Sequence, residues 1–291
     1  MTTVNDLLNL LVLEQINDNE FNGVSKTVGS PVVFGGQVLA QAINAASRTI
    51  TNNRVLHSMH SYFLEAGDLE CPITYNVSVV RDGGSFSVRR VTAHQKEITI
   101  FILSASFHKR ESGYDHQIAM KSGLSQPEAL LSWTDMLKQY GDFLPRSLKG
   151  FFEIERPIEF KPTEFVNPLE KKDLPPFYDV WFKLKGDVGN LDLSTKQQIL
   201  TYVSDYNILV SALKPHASKA HWGNMQTASL DHSMWYFRDF DFSDWLLFSI
   251  ESPNMYGARG FARGNIFTRD GKLIASVTQE GLMRPKNKKN E

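Results

Sequence analysis

Three polar residues are candidates for chemistry, and Asp205 among them lies in a segment whose neighbours are largely apolar. Asp205 follows Leu-Thr-Tyr-Val-Ser, Gln279 follows Ala-Ser-Val-Thr, and Ser229 precedes Leu-Asp-His. A buried carboxylate or amide is costly unless it has hydrogen-bond partners. Simpler explanations also exist: Asp205 could face solvent or be held by Ser204 or Asn207, Gln279 could lie at a wet sheet edge, and Ser229 could serve a turn. The residue types alone leave these alternatives open.

Other catalytic patterns receive little support from the sequence. It contains no G-x-S-x-G elbow, no H-E-x-x-H pair, no Walker loop, and no G-x-G-x-x-G after a strand. Cys71 has no evident partner and is typical of an inert structural thiol. Asp231 and His232 are neighbours on a predicted strand, so their side chains should point to opposite faces and not form a dyad. We therefore expect no metal and no cofactor.

An internal repeat indicates how the candidates are positioned. His57-Ser58-Met59 recurs as His232-Ser233-Met234, 175 residues later, and apolar positions keep this register in the segments that follow. Each half has a weakly charged helical stretch before the block, at 36–46 and 197–206. Such a helix needs an apolar partner around most of its surface, and a curved antiparallel sheet supplies one.

The segments after each helix alternate with the period of strands and are separated by turn residues. The predicted strands are 73–79, 86–93, 98–108, 245–251, 260–267 and 272–282. The sequence therefore predicts an α+β protein of the double hotdog type. We expect an N-terminal hotdog at 1–112, a connection at 113–150 containing a helix near 127–140, and a C-terminal hotdog at 151–291.

Five sequence blocks are similar to those of a known family. They are 33–42, 57–64, 81–87, 230–235 and 279–284. Together they resemble acyl-CoA thioesterase II, a family of bacterial and peroxisomal enzymes, from about residue 5 to residue 284. The resemblance implies a double hotdog that hydrolyses medium- to long-chain fatty acyl-CoA to fatty acid and coenzyme A.

The resemblance also implies a catalytic trio. The family's Asp in a Ser-Asp context matches Asp205, its Thr or Ser matches Ser229, and its Gln before Glu-Gly matches Gln279. In the mechanism it implies, Asp205 activates a water that Ser229 and Gln279 hold. A covalent acyl-Asp205 intermediate is the local alternative. The alternative functions are an acyl-CoA-binding sensor without turnover and a hotdog enoyl-CoA hydratase.

The repeat predicts that only the second half is active. Aligning the halves places Asn44 opposite Asp205, Arg54 opposite Ser229 and Ser104 opposite Gln279. Because Asn44 is no base, the first half should carry a degenerate site.

Bulk properties limit the partners. The 291 residues carry 31 basic and 32 acidic side chains, so no basic field exists to gather nucleic acid. No apolar run approaches the roughly 18 residues of a membrane span. The first residues predict an amphipathic helix, not a signal peptide, and with one cysteine a cytoplasmic location is expected. The family resemblance implies a homo-oligomer. Four arginines near the junction of the halves are candidates for coenzyme phosphates, although ion pairs are the commoner use of such residues: Arg89, Arg90, Arg259 and Arg263.

Overall fold

The computed structural model describes residues 1–51, 53–143, 146–164 and 172–286. The elements of the first half are α1 (Val4–Leu11), β1 (Glu14–Asn17), β2 (Glu20–Gly23), α2 (Gly35–Arg48), β3 (Arg54–Phe63), β4 (Ile73–Asp82), β5 (Phe86–Gln95) and β6 (Ile98–Lys109). The elements that follow are α3 (Trp133–Tyr140), α4 (Arg146–Glu153), β7 (Ile158–Pro162), β8 (Phe177–Leu184), α5 (Leu193–Ser204), α6 (Val210–Leu213), β9 (Met225–Ser229), β10 (Asp231–Tyr236), β11 (Leu246–Tyr256), β12 (Arg259–Thr268) and β13 (Leu273–Pro285).

The described strands form one antiparallel sheet in the order β1-β2-β4-β5-β6-β3-β10-β13-β12-β11-β8-β7, with β9 paired to β13 beside this path. The second half repeats the strand order of the first half in the reverse direction across the sheet. From the outer side to the centre, the first half runs β2-β4-β5-β6-β3 and the second half runs β8-β11-β12-β13-β10. The halves join where β3 pairs with β10, and Met59 lies opposite Met234 at this seam. Both methionines are fully buried. The structure thus confirms the predicted double hotdog.

Helix α2 is the central helix of the first half. It has no acidic residue, and Leu39, Ala42, Ile43 and Ala46 are completely buried. Burying a side chain such as Leu39 contributes about 1.5–3 kcal/mol. The prediction that this weakly charged helix is buried is confirmed.

Helix α5 is its counterpart and runs antiparallel to α2. Asp192 caps its start by accepting a hydrogen bond from the Thr195 N–H at 3.0 Å. The helix ends before Asn207, whose φ of 67° is left-handed, a conformation that asparagine tolerates better than most residues. Between the helices, Asn44 Nδ2 donates to Gln198 Oε1 at 2.9 Å. The observed bounds place Asp205 just beyond the helix, at its C-cap, and not within it as predicted.

The connection between the halves is partly helical. The helix expected near 127–140 is divided into a short 3₁₀ turn at Pro127–Ala129 and α3. Ser132 and Asp135 form a reciprocal capping box at the start of α3. Helix α4 extends across residue 150. Within the described residues, no helix is long and apolar enough to cross a bilayer.

Candidate active site

Asp205 lies where the end of α5 packs beside the start of α2. Its Oδ2 accepts a hydrogen bond from the Gly36 N–H at 2.8 Å. This N–H is one of the first-turn donors that α2 cannot satisfy internally. The positive end of the α2 dipole also offsets the negative end of α5, at which the carboxylate stands. The first half therefore supplies a fixed donor to the carboxylate of the second half.

Two glycines make this approach possible. A Cβ on Gly35 would lie 2.7 Å from Asp205 Oδ2, and a Cβ on Gly36 would lie 2.4 Å from the backbone oxygen of Tyr202. Any larger residue would push the helices apart or displace the carboxylate. The Gly-Gly pair is thus explained by close packing of α2 against the end of α5.

Ser229 and Gln279 are brought to Asp205 by neighbouring strands. Ser229 ends β9 and lies opposite Gly281 of β13, the strand that carries Gln279. Gln279 Nε2 donates to Ser229 Oγ at 2.9 Å, and Ser229 Oγ lies 3.4 Å from Asp205 Oδ1. The structure therefore brings together all three residues that the sequence singled out.

The environment of Gln279 corrects one of the simpler explanations. Gln279 is only 1% exposed, because β13 lies between β10 and β12 and is not an edge strand at this point. The wet-edge explanation for Gln279 was wrong. Val277, two positions earlier on the same face of β13, is also buried.

The trio opens into a cavity of about 1490 Å³ that both halves line. This volume exceeds the roughly 300–1,000 Å³ typical of small-molecule pockets. Asp205, Ser229 and Gln279 are part of its wall. Much of the remaining wall is apolar and includes Val38, Phe63, Phe101, Trp133, Tyr178 and Leu209. The site thus combines a polar centre with apolar surroundings, an arrangement that suits a molecule with a long apolar part.

Asp231 and His232 point in opposite directions, as expected of strand neighbours. Asp231 Oδ1 accepts the Glu280 N–H at 2.7 Å, and its half-burial raises the pKa of the carboxyl. His232 is completely buried, and burial lowers its pKa. Its Nδ1 lies 2.5 Å from Gln279 Oε1, and its Nε2 lies 3.0 Å from Ser204 Oγ. The two residues do not form a dyad, but His232 contacts the trio.

The four candidate arginines do not line the cavity. Arg89 is buried and pairs with Asp82 at 2.9 Å. Arg259 pairs with Glu280 at 3.0 Å and Arg263 with Glu251 at 2.6 Å, whereas Arg90 is exposed. Three of the four candidate arginines are therefore in ion pairs with acidic side chains.

Cys71 is not part of the cavity wall either. Its Sγ lies 3.2 Å from Asp68 Oδ2, in a loop of the first half.

The aligned residues of the first half have other partners. Asn44 bonds to Gln198, and its Oδ1 is buried without a hydrogen-bond partner. Arg54 donates to Ser87 Oγ and to the backbone oxygen of Gly83. Ser104 lies opposite His60 in the β3–β6 pair. These contacts tie strands and helices together.

Sequence reasoning missed two contributors to the site. The Gly36 N–H is a backbone group, and only the unusual Gly-Gly pair at the helix start could have signalled a close approach there. For His232, the sequence only argues against a dyad with Asp231, whereas in the structure one of its hydrogen-bond partners is the amide of Gln279.

Comparison with known proteins agrees with this architecture. A family model described as the acyl-CoA thioesterase N-terminal domain matches residues 24–108, and a model described as acyl-CoA thioesterase matches residues 147–282. The chain is 42% identical to acyl-CoA thioesterase 2 of Haemophilus influenzae over 281 residues, covering 97% of this chain and 98% of the relative. It is 36% identical to human acyl-coenzyme A thioesterase 8, covering 97% and 90% of the two chains.

A solved structure shows the same fold. The crystal structure of an acyl-CoA thioesterase II from Mycobacterium marinum superposes with a TM-score of 0.78 at 33% identity, covering 96% of this chain and 98% of that one. Fold and site together define a thioester hydrolase with two hotdog units in one chain. The protein belongs to the acyl-CoA thioesterase II family, whose members hydrolyse acyl-CoA.

Proposed function

We propose that the protein hydrolyses medium- to long-chain fatty acyl-CoA by direct attack of a water molecule that Asp205 activates. The observation that carries this proposal is the hydrogen-bonded set of Asp205, Ser229 and Gln279 in the wall of one large cavity. A carboxylate can accept the proton of a water that hydroxyl and amide groups hold in line with the thioester carbonyl.

The proposed reaction uses these side chains, the Gly36 N–H and water. Water attacks the carbonyl carbon while Asp205 takes its proton, and the carbonyl oxygen becomes an oxyanion. The tetrahedral intermediate then expels the sulfur of coenzyme A, which receives the proton from Asp205. The Gly36 N–H bond holds the carboxylate while the proton moves. Ser229 and Gln279 limit the directions from which water can attack.

The hydratase alternative receives no support from Asp231 or His232. A hydratase usually needs a second acid or base beside the substrate. His232 is completely buried with partners at both ring nitrogens, and Asp231 faces the other side of the strand. Neither residue belongs to the cavity wall. An acyl-CoA-binding sensor that does not hydrolyse its ligand has no need of an assembled trio, so the presence of the trio favours the enzyme.

The cavity's size and lining support the proposed chain length. An apolar wall stabilises an acyl chain roughly in proportion to the apolar area removed from water. Each added methylene should therefore improve kcat/KM until the chain fills the cavity.

The coenzyme needs cations near the mouth of the cavity. Lys219 is exposed and belongs to the cavity wall. We propose that it contacts a coenzyme phosphate, a role for which lysine serves as a point charge. Replacing Lys219 by glutamate should raise KM several-fold and leave kcat unchanged.

The organisation of the chain forms a further part of the proposal. Residues 1–112 and 151–291 are the two hotdog units, joined by 113–150, and each chain has one working site in the second unit. The proposal includes assembly of the chain as a homo-oligomer. Light scattering after gel filtration measures the oligomeric state.

The proposed reaction belongs to fatty-acid metabolism, and we place it in the cytoplasm. The chain's single cysteine, Cys71, can form no internal disulfide, which suits a reducing compartment. Fractionation of the producing cells tests the location.

The experiment that tests the proposed reaction has two parts. Release of free thiol is measured on butanoyl-, octanoyl-, dodecanoyl- and palmitoyl-CoA, and we expect kcat/KM to rise toward the longer chains. Rapid quenching followed by mass spectrometry of the protein then seeks an acyl adduct. An unmodified chain during turnover supports direct water attack, whereas an adduct on Asp205 overturns it. Highest activity on butanoyl-CoA contradicts the proposed chain length.

A further inference from the structure

His232 lies behind the trio and does not touch the cavity. It stands on β10, is completely buried, and uses both ring nitrogens. Nδ1 lies 2.5 Å from Gln279 Oε1 and Nε2 lies 3.0 Å from Ser204 Oγ. The imidazole thus links the end of α5 to the amide on β13.

The amide of Gln279 has two ends with opposite roles. Its Nε2 donates to Ser229 Oγ at 2.9 Å. If the amide were turned over, its oxygen would face Ser229, and the Ser229 hydroxyl would donate to that oxygen instead of to Asp205. The orientation of this one amide therefore decides which way the hydrogen bonds of the trio run.

From this geometry we infer that His232 is a positioning residue, which holds the Gln279 amide in the orientation that keeps Ser229 donating to Asp205. The inference rests on the proposed water activation by the trio. Nδ1–H donates to Gln279 Oε1, Gln279 Nε2 donates to Ser229, and Ser229 donates to Asp205. Each donor in this series fixes the next, so a residue outside the cavity sets the direction of the group that holds the water.

The second ring nitrogen of His232 faces Ser204. Ser204 Oγ lies 3.0 Å from His232 Nε2 and donates its proton to the Thr201 backbone oxygen at 2.8 Å. Because Gln279 Oε1 can only accept a hydrogen bond, the ring donates to it from Nδ1. Burial lowers the pKa of His232, while the charges of Asp205 and Asp231 act in the opposite direction.

Two amide substitutions separate the roles of the two ring nitrogens. In His232→Asn, the side-chain NH₂ can lie near the position of Nδ1 and still donate to Gln279. In His232→Gln, the longer side chain places its amide near Nε2, toward Ser204. We expect His232→Gln to lower kcat roughly 10- to 100-fold with little change in KM. His232→Asn should keep most of the wild-type kcat. Equal rates for the two variants, or the reverse order, overturn the inference.

A double-mutant cycle tests whether His232 acts through Gln279. If it does, adding His232→Gln to Gln279→Ala should lower kcat no further, because the amide to be oriented is gone. Losses that multiply overturn the inference and indicate a general structural role. If neither the Gln279 variant nor the His232 variants lose activity, the proposed trio itself is wrong. If only Gln279→Ala loses activity, the trio stands and the role of His232 is wrong.

Tyr236→Phe is the matched control. Tyr236 lies on the same strand, is buried, and its hydroxyl bonds to Thr201 of α5 without touching the trio. This variant also loses one buried β10–α5 contact, and kcat should remain at the wild-type level. A drop in kcat equal to that of His232→Gln contradicts positioning through Gln279.

Discussion

The two halves of the molecule share one fold but use their buried polar side chains differently. In the first half, Gln41 Nε2 donates to the Leu10 and Val24 backbone oxygens at 2.7 and 3.0 Å, and Gln41 Oε1 accepts from the Tyr75 hydroxyl at 2.7 Å. Gln37 accepts the Lys26 N–H in the same region. These bonds close on the backbone and attach the N-terminal segment to α2.

In the second half, the buried polar groups lead to a cavity. The series from Ser204 through His232, Gln279 and Ser229 ends on Asp205, which lines that cavity. A closed network mainly stabilises the fold, whereas a series with an open end can act on a bound molecule. The two halves thus share the same fold, and they differ in whether the buried polar network ends on the backbone or at the cavity.

The first prediction concerns Gly35, where the first half contacts Asp205 of the second half. Gly35→Ala places a Cβ 2.7 Å from Asp205 Oδ2, so the carboxylate must move. We expect kcat to fall roughly 100-fold, because a displacement of this order misaligns the reacting groups. Thiol release from palmitoyl-CoA measures it. Gly84→Ala is the control, since a Cβ there has nothing within 4 Å. Equal kcat for both variants would show that the junction does not position Asp205.

The second prediction concerns the contribution of the Gln41 hydrogen bonds to the stability of the fold. Gln41→Ala removes the side-chain partner of the Leu10 oxygen and of the Tyr75 hydroxyl, and one of two side-chain donors to the Val24 oxygen. Leaving buried groups unsatisfied should lower the free energy of unfolding by about 1–3 kcal/mol, while kcat of the folded protein stays unchanged. Urea unfolding and thiol release measure the two quantities. A large fall in kcat without a fall in stability would contradict the structural role of this network.

The third prediction concerns pH. The pKa of His232 lies below its ordinary value of 6.5 because of burial, so the unfolded chain binds more protons as pH falls below 6.5. The stability present above that pH should decline on acidification, by at most about 1.4 kcal/mol per pH unit for this group. Burial lowers the pKa of His57 as well, so both histidines contribute. The unfolding free energy of His232→Asn should decline less steeply between pH 6.5 and about pH 5. An unchanged slope would contradict a neutral, buried His232.

The smallest effect is expected from restoring an acid to the first half. Asn44→Asp supplies a carboxylate at the position aligned with Asp205, but Asn44 bonds to Gln198. The double variant Asn44→Asp with Asp205→Asn should therefore be as inactive as Asp205→Asn alone. Recovered thiol release would show that the first half retains a usable site.

The sequence predicted the fold because its signals are local. Period-two strands, the uncharged α2 and the recurring His-Ser-Met block all act within short segments, and the sheet follows from them. It did not predict the end of α5 correctly, since the helix stops at Ser204 and Asp205 is its C-cap.

The candidate trio could be named from sequence, but its support could not. The Gly36 N–H reaches Asp205 across 169 positions of the chain. His232 contacts Gln279 through pairing of β10 with β13, and the wet-edge explanation for Gln279 failed because β13 is an interior strand. Such contacts depend on tertiary packing, which no short pattern specifies.

The comparison of Asp205→Asn with Asp192→Asn tests the central claim most directly. Both carboxylates flank α5, one at each end, and Asp192 only caps the helix start. We predict that thiol release from palmitoyl-CoA falls about 100- to 10,000-fold in Asp205→Asn and stays near wild type in Asp192→Asn. Near wild-type release by a folded Asp205→Asn protein would contradict the account and remove this carboxylate from the mechanism.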